Sequence, residues 1–291
     1  MAEPPELAGV HHRWIDTARL RMHVAEAGDP GGDPVMLVHG WPQNWFEWRK
    51  LIPPLAEAGH RVIAPDLRGL GWTDAPRRGY LKEEMALDLV ALLDALEIET
   101  TDLAGHDWGG FIGFLLAILH PDRVRRYLAM NIIHPWLRIG GGDLRRMPRL
   151  AYQWVVATPG LNRRVLAKPA FMHRFLKTGS LHKDAWTDAE VEVFAERLRD
   201  PARVRASAAI YRTFNLREFW PMVRGRYRDK RLHAPTLLLF GTRDLIMSPS
   251  DLEGFEPRAD EMRVELVEDA AHFIVEEKPE LVAERALALF A

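Results

Sequence analysis

The sequence predicts an α/β protein: a mostly parallel sheet of eight strands, flanking helices and one inserted helical stretch. Three observations carry this prediction. Short apolar runs alternate with amphipathic stretches as far as Asn131, the arrangement that lays helices on both faces of a parallel sheet. From about Pro135 to Lys230 the text stays helical and contains no buried strand. The alternation then resumes at Pro235 and runs to the end of the chain, residue 291. The expected division is therefore a first part of the core over 1–134, a helical cap over 135–230 and a second part of the core over 231–291.

The elements follow in order. Arg13–Asp16 and Leu20–Ala27 read as a strand pair. Val35–Val38 is a short buried strand ending at His39-Gly40-Trp41-Pro42, and an aromatic-rich helix is expected over Trp45–Ala58. Arg61–Pro65 is the next strand, closed by Asp66 and a glycine-rich loop. Lys82–Leu96 has apolar residues at helical spacing. Thr101–Ala104 leads through Gly105 into a helix beginning at Gly109, and Arg125–Asn131 is a further strand. In the helical stretch basic residues outnumber acidic ones about two to one, which by itself reads as a solvated surface. Thr236–Phe240 and Met262–Val267 are the last strands, and Glu277–Phe290 is the last helix.

Composition excludes several classes. A net charge of −2 gives no reason to expect a nucleic acid or strongly charged partner. The absence of cysteine removes a disulfide scaffold, a thiol nucleophile and a Cys-ligated metal. The acidic, proline-rich start lacks the basic and apolar regions of a secretory signal. The most apolar helix, Gly109–Leu119, is too short to cross a bilayer. The expectation is a soluble, cytoplasmic protein without membrane insertion, with monomer and homodimer both left open.

The chemistry centres on Gly105-His106-Asp107-Trp108-Gly109-Gly110, between a strand and a helix. The spacing is that of a nucleophile elbow with aspartate in the position usually held by serine. By itself an aspartate before a glycine-rich helix start is first of all a helix cap. The strand before it, the helix after it and the groups that follow along the chain point instead to a nucleophile. A carboxylate is ionised at neutral pH and needs no base to attack an sp³ carbon. The ester that forms must then be hydrolysed, and that step does need a base and an oxyanion hole. Asp244 stands at the carboxyl end of Leu238-Leu239-Phe240-Gly241, where catalytic groups gather in open α/β sheets. His272 follows the last strand, in Asp269-Ala270-Ala271-His272-Phe273.

Together, His39-Gly40-Trp41-Pro42, Asp66-Leu67-Arg68-Gly69-Leu70-Gly71, the Asp107 elbow, Asp244 and His272 resemble the aspartate-nucleophile branch of the α/β-hydrolases over essentially the whole chain. That branch includes epoxide hydrolases, haloalkane dehalogenases and haloacetate dehalogenases. The resemblance implies that His272 is the base, that Asp244 orients it, and that the backbone N–H groups of Trp41 and Trp108 form the oxyanion hole. It also implies a cis bond before Pro42. Some relatives carry the orienting acid one strand earlier; Met130-Asn131-Ile132 has no carboxylate there, which favours Asp244.

Epoxide hydrolases of this branch have two cap tyrosines that donate to the epoxide oxygen. Tyr152, in Tyr152-Gln153 shortly before Pro159-Gly160, and Tyr211, in Tyr211-Arg212, fall in the two matching contexts, although Ile210 replaces an aromatic often found beside the second. A neutral phenol suits a departing alkoxide, which needs a proton. A halide needs only N–H donors. Trp108 offers one and Trp154 is a candidate second, so a haloalkane dehalogenase is the alternative; the Asn that often follows His-Gly in those enzymes is Trp41 here. Haloacetate dehalogenases grip a carboxylate with arginines just after the nucleophile, where this chain has Trp108 and Phe111. An esterase is disfavoured because an aspartate nucleophile and an acyl substrate give an anhydride. A non-catalytic binding protein is the remaining class on this fold. The expectation is an epoxide hydrolase acting on a small apolar epoxide and water, with no cofactor or metal, and with Trp45, Trp154 and Phe273 lining the substrate site.

Overall fold

The computed structural model describes residues 3–137, 151–166 and 168–291. Most of the opening of the expected helical stretch, residues 138–150, lies outside the described residues. The strands are β1 (Val10–Asp16), β2 (Arg21–Gly28), β3 (Pro34–Val38), β4 (Arg61–Pro65), β5 (Thr101–His106), β6 (Val124–Met130), β7 (Thr236–Gly241) and β8 (Met262–Val267). They form one eight-stranded sheet in the order β1-β2-β4-β3-β5-β6-β7-β8. β2 pairs antiparallel with β1 and β4, and every other pairing is parallel.

The central strands are buried on both faces, as parallel strands under helices must be. Side chains alternate between two cores. Leu103, Leu238 and Phe240 join one apolar cluster, whereas Ala104, Leu237 and Leu239 join the other. The helices that cover them within the core are α1 (Ile52–Glu57), α2 (Lys82–Ala95) and α3 (Trp108–Leu119), and, after β8, two more described below.

Between β6 and β7 the described residues are mainly helical: α4 (Ala151–Ala157), α5 (Leu161–Leu166), α6 (Pro169–Gly179), α7 (Asp188–Arg197), α8 (Pro201–Thr213) and α9 (Phe219–Val223). A π-helical turn, Phe214–Glu218, joins α8 to α9. After β8 come α10 (Ile274–Glu277) and α11 (Pro279–Phe290).

Two expectations are corrected. The helix read over Trp45–Ala58 is a 3₁₀ segment, Trp45–Lys50, followed by α1. Pro53 and Pro54 have no N–H for a ladder continuing from the preceding turn, so they sit where a new helix starts. The basic residues of the helical stretch are also not all solvated. Arg197 and Arg203 are buried, and both donate to the Gly71 carbonyl, at 2.9 and 3.2 Å; Arg203 also reaches the Thr73 carbonyl at 2.8 Å. They bolt α7 and α8 onto the loop after β4.

Candidate active site

The site forms where β3, β5, β6 and β7 end. Asp107 occupies the turn between β5 and α3 with φ 50° and ψ −126°, a backbone conformation rarely populated by non-glycine residues. Such a turn costs on the order of 1–3 kcal/mol and persists only where the surroundings enforce it. Here the enforcement is close packing: a Cβ on Gly109 would stand 2.0 Å from the Val38 carbonyl oxygen, and one on Gly105 would stand 2.7 Å from that of Gly109. The strand, the turn and the helix touch backbone to backbone, and the Asp107 side chain is lifted from the sheet.

The structure brings Asp107, His272 and Asp244 together. His272 Nε2 lies 3.4 Å from Asp107 Oδ2, and His272 Nδ1 lies 2.9 Å from Asp244 Oδ2. Asp244 Oδ1 accepts the backbone N–H groups of Ile246 and Met247 at 2.7 and 3.2 Å. The other carboxylate oxygen, Asp107 Oδ1, accepts the Trp41 N–H at 2.8 Å. The Trp41–Pro42 peptide bond is cis.

Electrostatics follow from this geometry. Burial works against an imidazolium at His272, but the carboxylates of Asp244 and Asp107 outweigh it and raise the pKa to about 10. Burial alone would raise Asp244; the facing His272 and the Asn131 amide hold it below the usual carboxylate range.

Tyr211, on α8, is buried, and its ring packs edge-on against Trp41 (centroids 5.1 Å apart) and Trp108 (5.5 Å). Tyr152, on α4, is only partly buried as a residue, but its hydroxyl end is enclosed and its ring lies 5.9 Å from that of Tyr211. Burial first, then Tyr152 and Asp107, push the Tyr211 phenol well above its ordinary pKa. Burial and Asp107 do the same to Tyr152. Both phenols thus hold their protons across the physiological range. The Trp108 indole N–H lies close enough to favour a Tyr211 phenolate, yet makes no hydrogen bond by geometry.

The three residues expected to line the substrate site do not share one place. Phe273 is buried beside His272 (rings 5.0 Å apart) and faces Phe175 at 6.5 Å. Trp45 belongs to the opposite core and packs on His12 and Phe46. Trp154 is 52% exposed, because α4 buries Val156 and Ala157 instead. Both tryptophans are therefore removed from the lining. Phe175, on α6, stands in the position they were assigned: its ring contacts Trp41, Tyr152 and Phe273.

Three further polar residues were not singled out by sequence. Asn131, at the end of β6, donates to Asp244 Oδ2 at 2.9 Å. Its position at a strand's carboxyl end was the available signal. His106 and Glu47, both fully buried, stand 2.5 Å apart. His106 Nε2 donates to the His272 carbonyl at 2.7 Å, and Glu47 accepts the Gly40 N–H at 3.2 Å. Burial disfavours charge on His106, but Glu47 raises its pKa nonetheless. One buried pair thus joins the loop after β3, the turn at Asp107 and the loop that carries His272.

Comparison with known proteins gives the chain its family. Residues 33–279 match the α/β-hydrolase fold family. The chain is 33% identical over 290 residues to the soluble epoxide hydrolase of Corynebacterium sp. strain C12, covering 97% of each. The crystal structure of Cfl2 from Burkholderia cenocepacia superposes with a TM-score of 0.85 at 27% identity, covering 99% of this chain and 98% of that one. The ligand-free epoxide hydrolase CorEH gives a TM-score of 0.83 at 27% identity, covering 97% and 98%. The chain belongs to the α/β-hydrolase fold family and is related over nearly its whole length to epoxide hydrolases.

Proposed function

We propose that the protein is an epoxide hydrolase that converts an apolar epoxide to a vicinal diol through an ester on Asp107. The observation that carries this reading is the pair of facing tyrosine rings, Tyr152 on α4 and Tyr211 on α8, 5.9 Å apart, whose phenols burial and Asp107 hold above their ordinary pKa. Residues 135–230 act as a cap over the core.

Asp107 Oδ2 attacks an epoxide carbon while Oδ1 stays on the Trp41 N–H. The carbon–oxygen bond of the ring breaks, and the departing oxygen takes a proton from one tyrosine, with a hydrogen bond from the other. The carboxylate is now a neutral ester, so His272 loses one of the two negative charges that raised its pKa. Consumption of the nucleophile's charge thereby lets the imidazolium give its proton back to the tyrosinate left by ring opening, and the neutral imidazole then acts as a base. It takes a proton from water, which attacks the Asp107 carbonyl carbon. The charge that develops on Oδ1 falls on the Trp41 N–H, joined by that of Trp108. Collapse breaks the ester bond; the departing oxygen takes the proton of the newly formed carboxyl group, which releases the diol and restores the Asp107 carboxylate, while His272 keeps the proton it took from water.

The haloalkane dehalogenase alternative lacks its second halide donor among the described residues. Trp154 is half exposed, and the Trp41 indole N–H is donated to Ser207 Oγ at 3.0 Å. The test is His272→Ala incubated with an aryl or alkyl epoxide and, separately, a haloalkane. Mass spectrometry is expected to find an adduct on Asp107 from the epoxide, with the wild type releasing diol and no halide. An adduct on another residue, or undiminished turnover by the variant, overturns the mechanism.

A further inference from the structure

Lys82, the first residue of α2, is a fully buried lysine outside the groups used above. An ammonium withdrawn from water is strongly disfavoured unless acceptors replace the water. Lys82 Nζ has four within reach: the Ile210 carbonyl at 2.6 Å, Glu218 Oε2 at 2.9 Å, Thr213 Oγ1 at 3.1 Å and the Tyr80 carbonyl at 3.2 Å. Burial lowers its pKa, and Glu218 opposes that shift.

Three of these four acceptors belong to the helical insertion, around one point. Ile210 immediately precedes Tyr211, Thr213 ends α8, and Glu218 ends the π-helical turn. Glu218 Oε1 also accepts the Lys82 backbone N–H at 2.6 Å, so its carboxylate caps α2 while neutralising the lysine. On its other side Nζ stands 4.8 Å from the centre of the Trp108 ring, and 5.7 Å from that of Phe214. Trp108 in turn packs against Tyr211. The ammonium therefore grips the backbone on one side of Tyr211 and the indole against which its ring rests. A core helix acquires a direct hold on a group carried by the insertion.

We propose that Lys82 is a positioning residue that fixes the Tyr211 phenol over Asp107, and so serves ring opening rather than ester hydrolysis. The proposal rests on the epoxide hydrolase reading. Its logic separates the two chemical steps: Tyr211 donates to the epoxide oxygen in the first, and the second runs on His272, which Lys82 does not touch.

The experiment is pre-steady-state tryptophan fluorescence with an aryl epoxide, resolving ester formation from ester hydrolysis, with thermal unfolding to establish that each variant folds. Lys82→Met keeps the length of the side chain. The double variant Lys82→Met/Glu218→Gln also removes the carboxylate left unpaired, and serves where the single variant does not fold. Ester formation is expected to slow by about ten- to a hundredfold, the worth of hydrogen bonds to a charged group, while ester hydrolysis stays within about twofold of wild type. In a Tyr211→Phe background, where Tyr152 remains to donate, Lys82→Met is expected to cost nothing further, because the group it positions is gone. Equal slowing of both steps, or undiminished loss in the Tyr211→Phe background, overturns the proposal. Unchanged ester formation in a folded variant does so too. Failure of the underlying reading looks different: the wild type itself then forms no ester on Asp107, and both proposals fall together.

Discussion

Asn131 Nδ2 and His272 Nδ1 converge on a single oxygen, Asp244 Oδ2, each at 2.9 Å. Asn131 Oδ1 meanwhile accepts the Gly241 N–H at 3.3 Å, which ties β6 to the strand end that carries Asp244. The carboxylate that faces His272 is thus itself held by an amide that has no other place to turn, since Asn131 is fully buried. Replacing Asn131 with Ala removes a hydrogen bond to a buried charge, worth roughly 1.5–3 kcal/mol. It also puts alanine at φ 41°. Urea denaturation is expected to register a loss of about 2–3 kcal/mol, with ester hydrolysis slowed more than ester formation. A variant as stable as wild type would contradict the role.

His272 makes a pH signature. Its folded pKa, about 10, exceeds the ordinary 6.5. The stability contributed by the imidazolium is therefore full below about 6.5 and is lost as pH rises through about 10. The stability gap between wild type and His272→Gln is expected to shrink across that window. On the proposed mechanism, esterification of Asp107 lowers the same pKa. The midpoint for ester hydrolysis, followed by stopped flow, is then expected to lie below the imidazole midpoint of the free protein measured by NMR. Coincident midpoints would show that Asp107 exerts no such control.

Glu276 follows His272 by one turn and binds the Arg49 guanidinium through both oxygens, at 2.6 and 2.7 Å. Arg49 reaches on to Glu190 of α7 at 2.7 Å. Glu276→Ala leaves a buried cation with Glu190 as its one carboxylate beside the Phe46 carbonyl, a change that typically costs about 3–5 kcal/mol. Glu190 is partly exposed, so Glu190→Ala is expected to cost under about 1 kcal/mol. Thermal unfolding of the pair decides it; equal effects would place the latch elsewhere.

Gly109 sets two effects against each other. Within a helix, glycine to alanine ordinarily gains about 0.5–1 kcal/mol. At this position the new methyl group meets the Val38 carbonyl at 2.0 Å, and backbone cannot give way as a side chain can. Overpacking of this kind costs about 1–3 kcal/mol or more. Gly109→Ala is expected to lower the unfolding midpoint; a stabilised variant would mean that β3 and α3 are not in contact at the elbow.

How much of this could be read in advance depended on whether the signal was local. Asp107, its flanking glycines and the strand before it lie within a few residues of one another, so the turn was legible from spacing. The sheet followed from apolar runs for the same reason. Pro53 and Pro54 announced the break in the Trp45–Ala58 helix and were overlooked. Trp45 lies only four residues beyond Trp41, yet the chain has by then crossed to the other core. Trp154 is aromatic yet exposed, because the buried face of its short helix is Val156 and Ala157. The pairs His106 with Glu47 and Lys82 with Glu218 span 59 and 136 residues of chain; no pattern of spacing marks such partners, which only the closed fold brings together.

His272 is also bound through its main chain. Its N–H donates to the carbonyl of Gly179, the last residue of α6, at 3.1 Å, and its own carbonyl accepts from His106. A Cβ on Gly179 would come within 2.6 Å of the Phe273 ring, so the two backbones meet without slack. Any motion that moves α6 away from the core must first part this seam. Lifting α6 would strip an acceptor from the peptide that carries His272, so access beneath α6 and the placing of that histidine are tied to one contact.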